Sequence, residues 1–186
     1  MQYYYSPSVR ITIQLSKKHL IMKQRQPLYI VAIIFTLFTC TACNPNRLFE
    51  EYVSSFKQNR WHNNEPVQFT VHIEDTVSEH KLYAVLRHVH GYQFTTMKIY
   101  VDVTTPSGKS VTKGYDLQII GTDGTYLSDC AGDICDLEVL LEDHVKFVEP
   151  GDWEIIVFCD MDRPYVPNVM EFGVIIDKYP TDAKSN

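Results

Sequence analysis

The sequence predicts an all-β fold, an antiparallel β-sandwich of jelly-roll or immunoglobulin-like form. Three observations lead there. Apolar and polar residues alternate with a period of two in run after run, the pattern of a strand with one face on a core and the other in water. Turn signals containing Pro and Gly bound those runs. The runs recur at spacings of about 10–15 residues, as the strands of a sandwich do.

In chain order, residues 48–56 are charged and aromatic and fit a strand or a helix. Val67, Phe69, Val71 and Ile73 then share one face, with Gln68, Thr70, His72 and Glu74 on the other. Residues 82–89 form the next strand, ending near Gly91. Ile99, Val101 and Val103 oppose Lys98, Tyr100 and Asp102, and Pro106-Ser107-Gly108 makes the following turn. Val111, Tyr115, Leu117 and Ile119 alternate with Thr112, Gly114, Asp116 and Gln118. Residues 134–143 fit a short helix or a strand, since Leu and Glu serve both. Residues 153–159 follow Pro150-Gly151, and residues 169–177 end before Pro180; both read as strands.

Ahead of the sandwich lies an address. Lys23 and Arg25 precede an apolar run over residues 28–42, the order of a secretory signal peptide. The run is short of the roughly 20 residues that a spanning helix needs. It ends Leu37-Phe-Thr-Cys-Thr-Ala-Cys43, which resembles a bacterial lipobox, with Cys43 as the acylated residue and Cys40 the weaker alternative. Met22 is a second candidate start. The expected organisation is a signal peptide over 1–42, a lipid-anchored tether over 43–47, the sandwich over 48–177 and a flexible tail over 178–186. The membrane, reached through the lipid anchor, is therefore a partner, on its extracytoplasmic side.

The charge divides in the same place. The chain has 17 Lys and Arg against 23 Asp and Glu. Arg10, Lys17, Lys18, Lys23 and Arg25 fall in residues 1–42 with no acidic residue, so residues 43–186 hold the other 12 against all 23, a net of −11. A folded part this acidic excludes nucleic acid as a partner, because phosphate binding needs clustered Lys and Arg.

Chemistry-bearing motifs are few. Cys130-Ala-Gly-Asp-Ile-Cys135 is a disulfide candidate in an oxidising envelope, worth roughly 2 kcal/mol for so small a loop. It lacks the second pair that a zinc site needs. His88 and His90 share a face if their strand extends that far, with His72 and His80 upstream, but surface polarity explains them without a metal. The acidic stretch from Asp123 to Asp143 lacks ordered calcium-loop spacing. No nucleophile elbow, phosphate loop or zinc-protease motif occurs, so no catalytic residue, cofactor or metal is expected. Arg87, inside a strand, reads as a buried charge that needs a carboxylate. Trp61 reads as a core or edge anchor. Tyr83, Tyr92, Tyr100, Tyr115 and Tyr126 could together form a sugar-binding platform, the alternative to a protein-binding role.

Taken in order, the landmarks resemble the gliding-motility lipoprotein GldH family. The lipid cysteine is followed by Asn46-Arg47-Leu48-Phe49-Glu50-Glu51-Tyr52, then Trp61 and Ile73-Glu74-Asp75-Thr76. Leu82-Tyr83-Ala84-Val85-Leu86-Arg87 precedes the aromatic Tyr92. Pro106-Ser107-Gly108, Gly132-Asp133-Ile134, Pro150-Gly151-Asp152-Trp153 and Met161-Asp162-Arg163 complete the set. Thr96-Met97 and Asp162 depart from the family's pattern. The resemblance implies a non-enzymatic envelope lipoprotein of the gliding machinery, linked to type IX secretion, whose partners are other envelope proteins. It makes Trp61, Arg87, Tyr92, Trp153 and Arg163 the candidate structural or interaction residues.

Overall fold

The computed structural model describes residues 44–179, so the signal peptide, Cys43 and the tail from residue 180 onward lie outside the described residues. The chain divides after Pro45, and every strand belongs to the unit that begins at Asn46. Among the described residues there is no α-helix, only a 3-10 turn at Lys57–Asn59.

Among the described residues the strands run β1 (Arg47–Val53), β2 (Arg60–His62), β3 (Val67–Ile73), β4 (His80–Val89), β5 (Thr96–Thr104), β6 (Ser110–Gln118), β7 (Asp129–Ala131), β8 (Ile134–Val145), β9 (Gly151–Cys159), β10 (Tyr165–Pro167) and β11 (Val169–Lys178). They form a five-stranded sheet ordered β1-β11-β4-β8-β7, a four-stranded sheet ordered β3-β9-β5-β6, and the ribbon β10-β2. All pairings are antiparallel. The chain pairs nest: β5 with β6, outside it β4 with β8, then β3 with β9, β2 with β10 and β1 with β11. One long hairpin is thus wrapped round a core with its successive pairs alternating between sheets. That is a jelly roll, not an immunoglobulin-like sandwich.

The alternation predicts the core. β3 alternates between buried and exposed along its whole length, and β9 buries Trp153, Ile155, Val157 and Cys159. These side chains join Leu82, Ala84 and Leu86 of β4 and Phe172, Val174 and Ile176 of β11 in one apolar cluster between the sheets. Both ambiguous segments are strands. Residues 47–53 pair with β11, and 134–145 pair with β4 along their length.

The ribbon closes one end. Trp61 on β2 is fully buried, its ring 5.2 Å from Phe56 and 4.8 Å from Phe172, and its Nε1 donates to the Glu65 carbonyl at 2.8 Å. The outward face of the five-stranded sheet is also covered in part. Tyr52 lies directly over Gly173, where a Cβ would overlap its ring.

Trp61→Ala should lower the unfolding free energy by about 3–5 kcal/mol, as deletion of a packed aromatic does. Gly173→Ala should cost about 1–3 kcal/mol by forcing Tyr52 off the sheet. Denaturant unfolding of the purified variants measures both, and an unchanged midpoint for either would show that the contact is dispensable.

Candidate functional site

The five aromatic and arginine candidates separate into two groups. Trp61, Tyr92 and Trp153 are buried. The Tyr92 hydroxyl points at Met97 Sδ, and Trp153 Nε1 donates to the Glu149 carbonyl at 2.8 Å while the ring stands edge-on to Phe147. These three hold the core and present no surface. Arg163 is exposed, with its guanidinium 4.3 Å from the Phe94 ring centroid.

Arg87 is not the buried charge that its strand position suggests, because its side chain is 39% exposed on the outward face of β4. It does have carboxylates. Nε and Nη2 bind the two oxygens of Asp136 at 2.7 and 3.0 Å, and Nη1 binds Glu171 at 2.9 Å. Beside it, Cys130 and Cys135 sit opposite each other in the β7–β8 hairpin and are disulfide-bonded. Gly132 takes a left-handed conformation in the turn between them. A cavity of about 390 Å³ lies between Arg87, Asp129, Asp136 and the hairpin.

The buried histidines are held neutral. His88 accepts from Ser128 Oγ at Nε2, 2.7 Å away, and donates from Nδ1 to the Val89 carbonyl. His80 packs edge-on against Phe147. Burial lowers the pKa of both. β4 ends at Val89, so His90 falls outside the strand and is exposed while His88 is not. Among the described residues no three His, Cys, Asp or Glu side chains converge on a metal-sized site.

The two long sides of the sandwich differ. On one, β1 meets β3 and Phe49 stands edge-on to Phe69 at 6.5 Å, which closes the seam. On the other, β8 faces β6 across a cleft of about 360 Å³. Leu82 and Val101 form its buried floor, and Val103, Val111 and Tyr115 line it from the four-stranded sheet. Glu142 spans the mouth, accepting from Tyr115 Oη at 2.6 Å and from Lys113 Nζ at 2.8 Å. The hydrogen bond from Lys113, then that from Tyr115, holds the Glu142 carboxyl below its ordinary pKa. Burial and the same carboxylate push the Tyr115 phenol up. At the lower lip, His144 Nδ1 meets Glu79 at 2.7 Å and its ring stacks on Tyr179 at 4.7 Å. Sequence reasoning did not single out Glu142, Lys113 or Val111, because only the topology shows which strands are edges.

Fold and cleft define the class: a jelly-roll β-sandwich closed along one seam and open along the other. The family model described as GldH lipoprotein matches residues 47–176, and the chain belongs to that family. A Gliding motility lipoprotein GldH homolog from Christiangramia forsetii is 22% identical over 133 residues, which cover 72% of this chain and 80% of the relative. The Gliding motility lipoprotein GldH of Flavobacterium johnsoniae is 28% identical over 106 residues, 57% of this chain and 65% of the relative. Among solved structures, infectious bursal disease virus Gx strain aligns at 9% identity and a TM-score of 0.28, covering 70% of this chain and 32% of that one. A likeness that low carries no argument.

Two outcomes follow for these groups. Arg87→Lys keeps the charge but loses the planar fork, and should lower stability by about 1 kcal/mol in denaturant unfolding; Arg87→Ala should cost no less. The pH dependence has a definite sign. His80 and His88 have folded pKa values below their ordinary 6.5, so the unfolded chain takes up protons first and stability falls as the pH drops below 6.5. His72, raised by its hydrogen bond to Asp152, acts oppositely, but it is exposed and contributes little. The melting temperature should fall between pH 7.5 and 5, and His88→Gln should flatten that slope. A flat or rising profile would contradict the assignment.

Proposed function

We propose that the chain is a lipid-anchored protein of the cell envelope that serves the gliding machinery and its associated type IX secretion system by binding other envelope proteins, without catalysis. Cys43 is the acylated residue, and the protein stands on the extracytoplasmic side of the membrane. The observation that carries the reading is membership of a lipoprotein family whose relatives bear the gliding-motility name, joined to a cysteine directly after an apolar segment.

The geometry supports a short tether. Three peptide steps separate Cys43 from Asn46, at most about 10–12 Å of extended chain. The Asn46 carbonyl accepts from the Lys178 amide at 2.8 Å, so the chain is already joined to β11 there. The end of the sandwich bearing the β3–β4, β5–β6 and β8–β9 loops would therefore face the bilayer. The opposite end and the seams would stay open to partners.

A sugar-binding platform has less support. Tyr92 is buried, Tyr83 and Tyr100 lie on outward faces of different sheets, and Tyr115 faces the cleft. No common face gathers them.

Cys43→Ala should move the protein from the membrane to the soluble fraction and abolish acyl labelling. Deletion of the gene should impair gliding or type IX secretion, and the Cys43→Ala chain should not restore it. Membrane retention of Cys43→Ala together with an unlabelled parent protein would remove the anchor from the reading.

A further inference from the structure

We infer that the free edge of β8 at the open seam takes up an extended segment of a partner protein, one in which apolar and basic residues alternate. The inference rests on the protein-binding reading above and names the surface and the chemistry of the partner.

The edge comes first. β7 pairs only with residues 134–136 of β8, and beyond it no strand borders residues 137–145 on that side among the described residues. At twelve residues β8 is the longest strand of the fold, and β7 covers only its first turnward part. A strand edge is a row of unpaired amide and carbonyl groups, and an incoming strand in line with β7 would satisfy them. A lipid chain or a helix would fill the cleft without meeting that row.

The two faces of the edge then set the pattern of the occupant. Leu137, Val139 and Leu141 turn inward and pack with the core, and the cleft that Val103, Val111 and Tyr115 line follows them along β8 at residues 142–145. An incoming strand alternates faces, so every second side chain would lie against this apolar side. The intervening side chains would emerge on the outward face, beside Asp136, Glu138 and Leu140. That face is acidic. Asp129 stands directly opposite Asp136, which already holds Arg87. Neither Asp129 nor Glu138 makes an ion pair among the described residues, so basic side chains would find partners there.

A second copy of this chain fits poorly. Two β8 edges paired antiparallel about Glu138 would set the two outward Glu138 carboxylates directly opposite each other, which opposed strands disfavour. The other free edges fit less well: Phe49 and Phe69 close the seam between β1 and β3, and β6, which borders the same cleft, has a single carboxylate, Asp116, among its outward residues Thr112, Gly114 and Asp116.

The test uses the purified protein and two synthetic peptides, acetyl-(Val-Lys)4-amide and acetyl-(Val-Glu)4-amide. Fluorescence anisotropy reads binding, and residue-resolved amide hydrogen exchange locates it. The Val-Lys peptide should bind and slow exchange at residues 137–142, and the Val-Glu peptide should not. The double variant Asp129→Lys with Glu138→Lys, which breaks no ion pair, should weaken the Val-Lys peptide by about tenfold and admit the Val-Glu peptide. Protection confined to other edges, peptide-independent protection that tracks dimer formation, or no binding at about 1 mM peptide would each overturn the proposal. The readout needs neither membrane nor motility, so it stands apart from the fate of the Cys43 anchor.

Discussion

The register of β4 is the constraint on which the rest of the sandwich depends. β4 lies between β11 and β8, and a slip of one residue would turn Leu82, Ala84 and Leu86 to water and carry Lys81, Tyr83 and Arg87 into the core. Arg87 marks the correct alignment from both sides at once, through Asp136 on β8 and Glu171 on β11. Half-exposed, it adds on the order of 1 kcal/mol to stability. Its larger effect is on alternatives, since any shifted pairing parts the guanidinium from both carboxylates. The hairpin pairs are nested, so an error at β4 and β8 would pass inward to β5 and β6 and outward to β3 and β9.

Both outward faces repeat one device. Tyr52 lies over Gly173 on the five-stranded sheet, and Tyr100 lies over Gly114 on the four-stranded one. A glycine in a strand weakens it by entropy and by the missing side chain. An aromatic ring from the neighbouring strand supplies the missing cover. Each ring keeps an exposed face, at 40% relative exposure for both tyrosines. Glycine is required at position 173 because the ring and the Glu51 carbonyl both occupy the space above it.

How much could be read from the sequence depended on the range of the deciding interaction. β3, β5 and β9 were legible because strict alternation and local turns determine them. β8 was not, because its Leu-Glu-Val-Leu-Leu-Glu run suits either structure, and pairing with β4, far away in the chain, decides it. β2, β7 and β10 have three residues each, too few for a period. At the site level, the need of Arg87 for a carboxylate was legible. Its exposure and its partners, 49 and 84 residues away, were not. Trp61, Tyr92 and Trp153 look alike as surface anchors or core residues until each polar tip is seen to find an acceptor inside. The open seam is a property of strand order, which no local pattern encodes.

A long apolar edge is a hazard for a protein held at a surface, where tethering raises the local concentration of its copies. β8 carries features that limit the hazard. Its register against β4 shifts beside Glu142, and such irregularities interrupt indiscriminate pairing. Glu142 is drawn across the mouth of the cleft by Lys113 and Tyr115, so entry there means displacing or going around a charged side chain. The outward row is acidic, like the folded part as a whole, so copies repel one another at this edge. The same charges would admit a basic strand. In the proposed reading, exclusion of self and selection of partner are one electrostatic property, which is why reversing two exposed carboxylates should alter specificity without disturbing the fold.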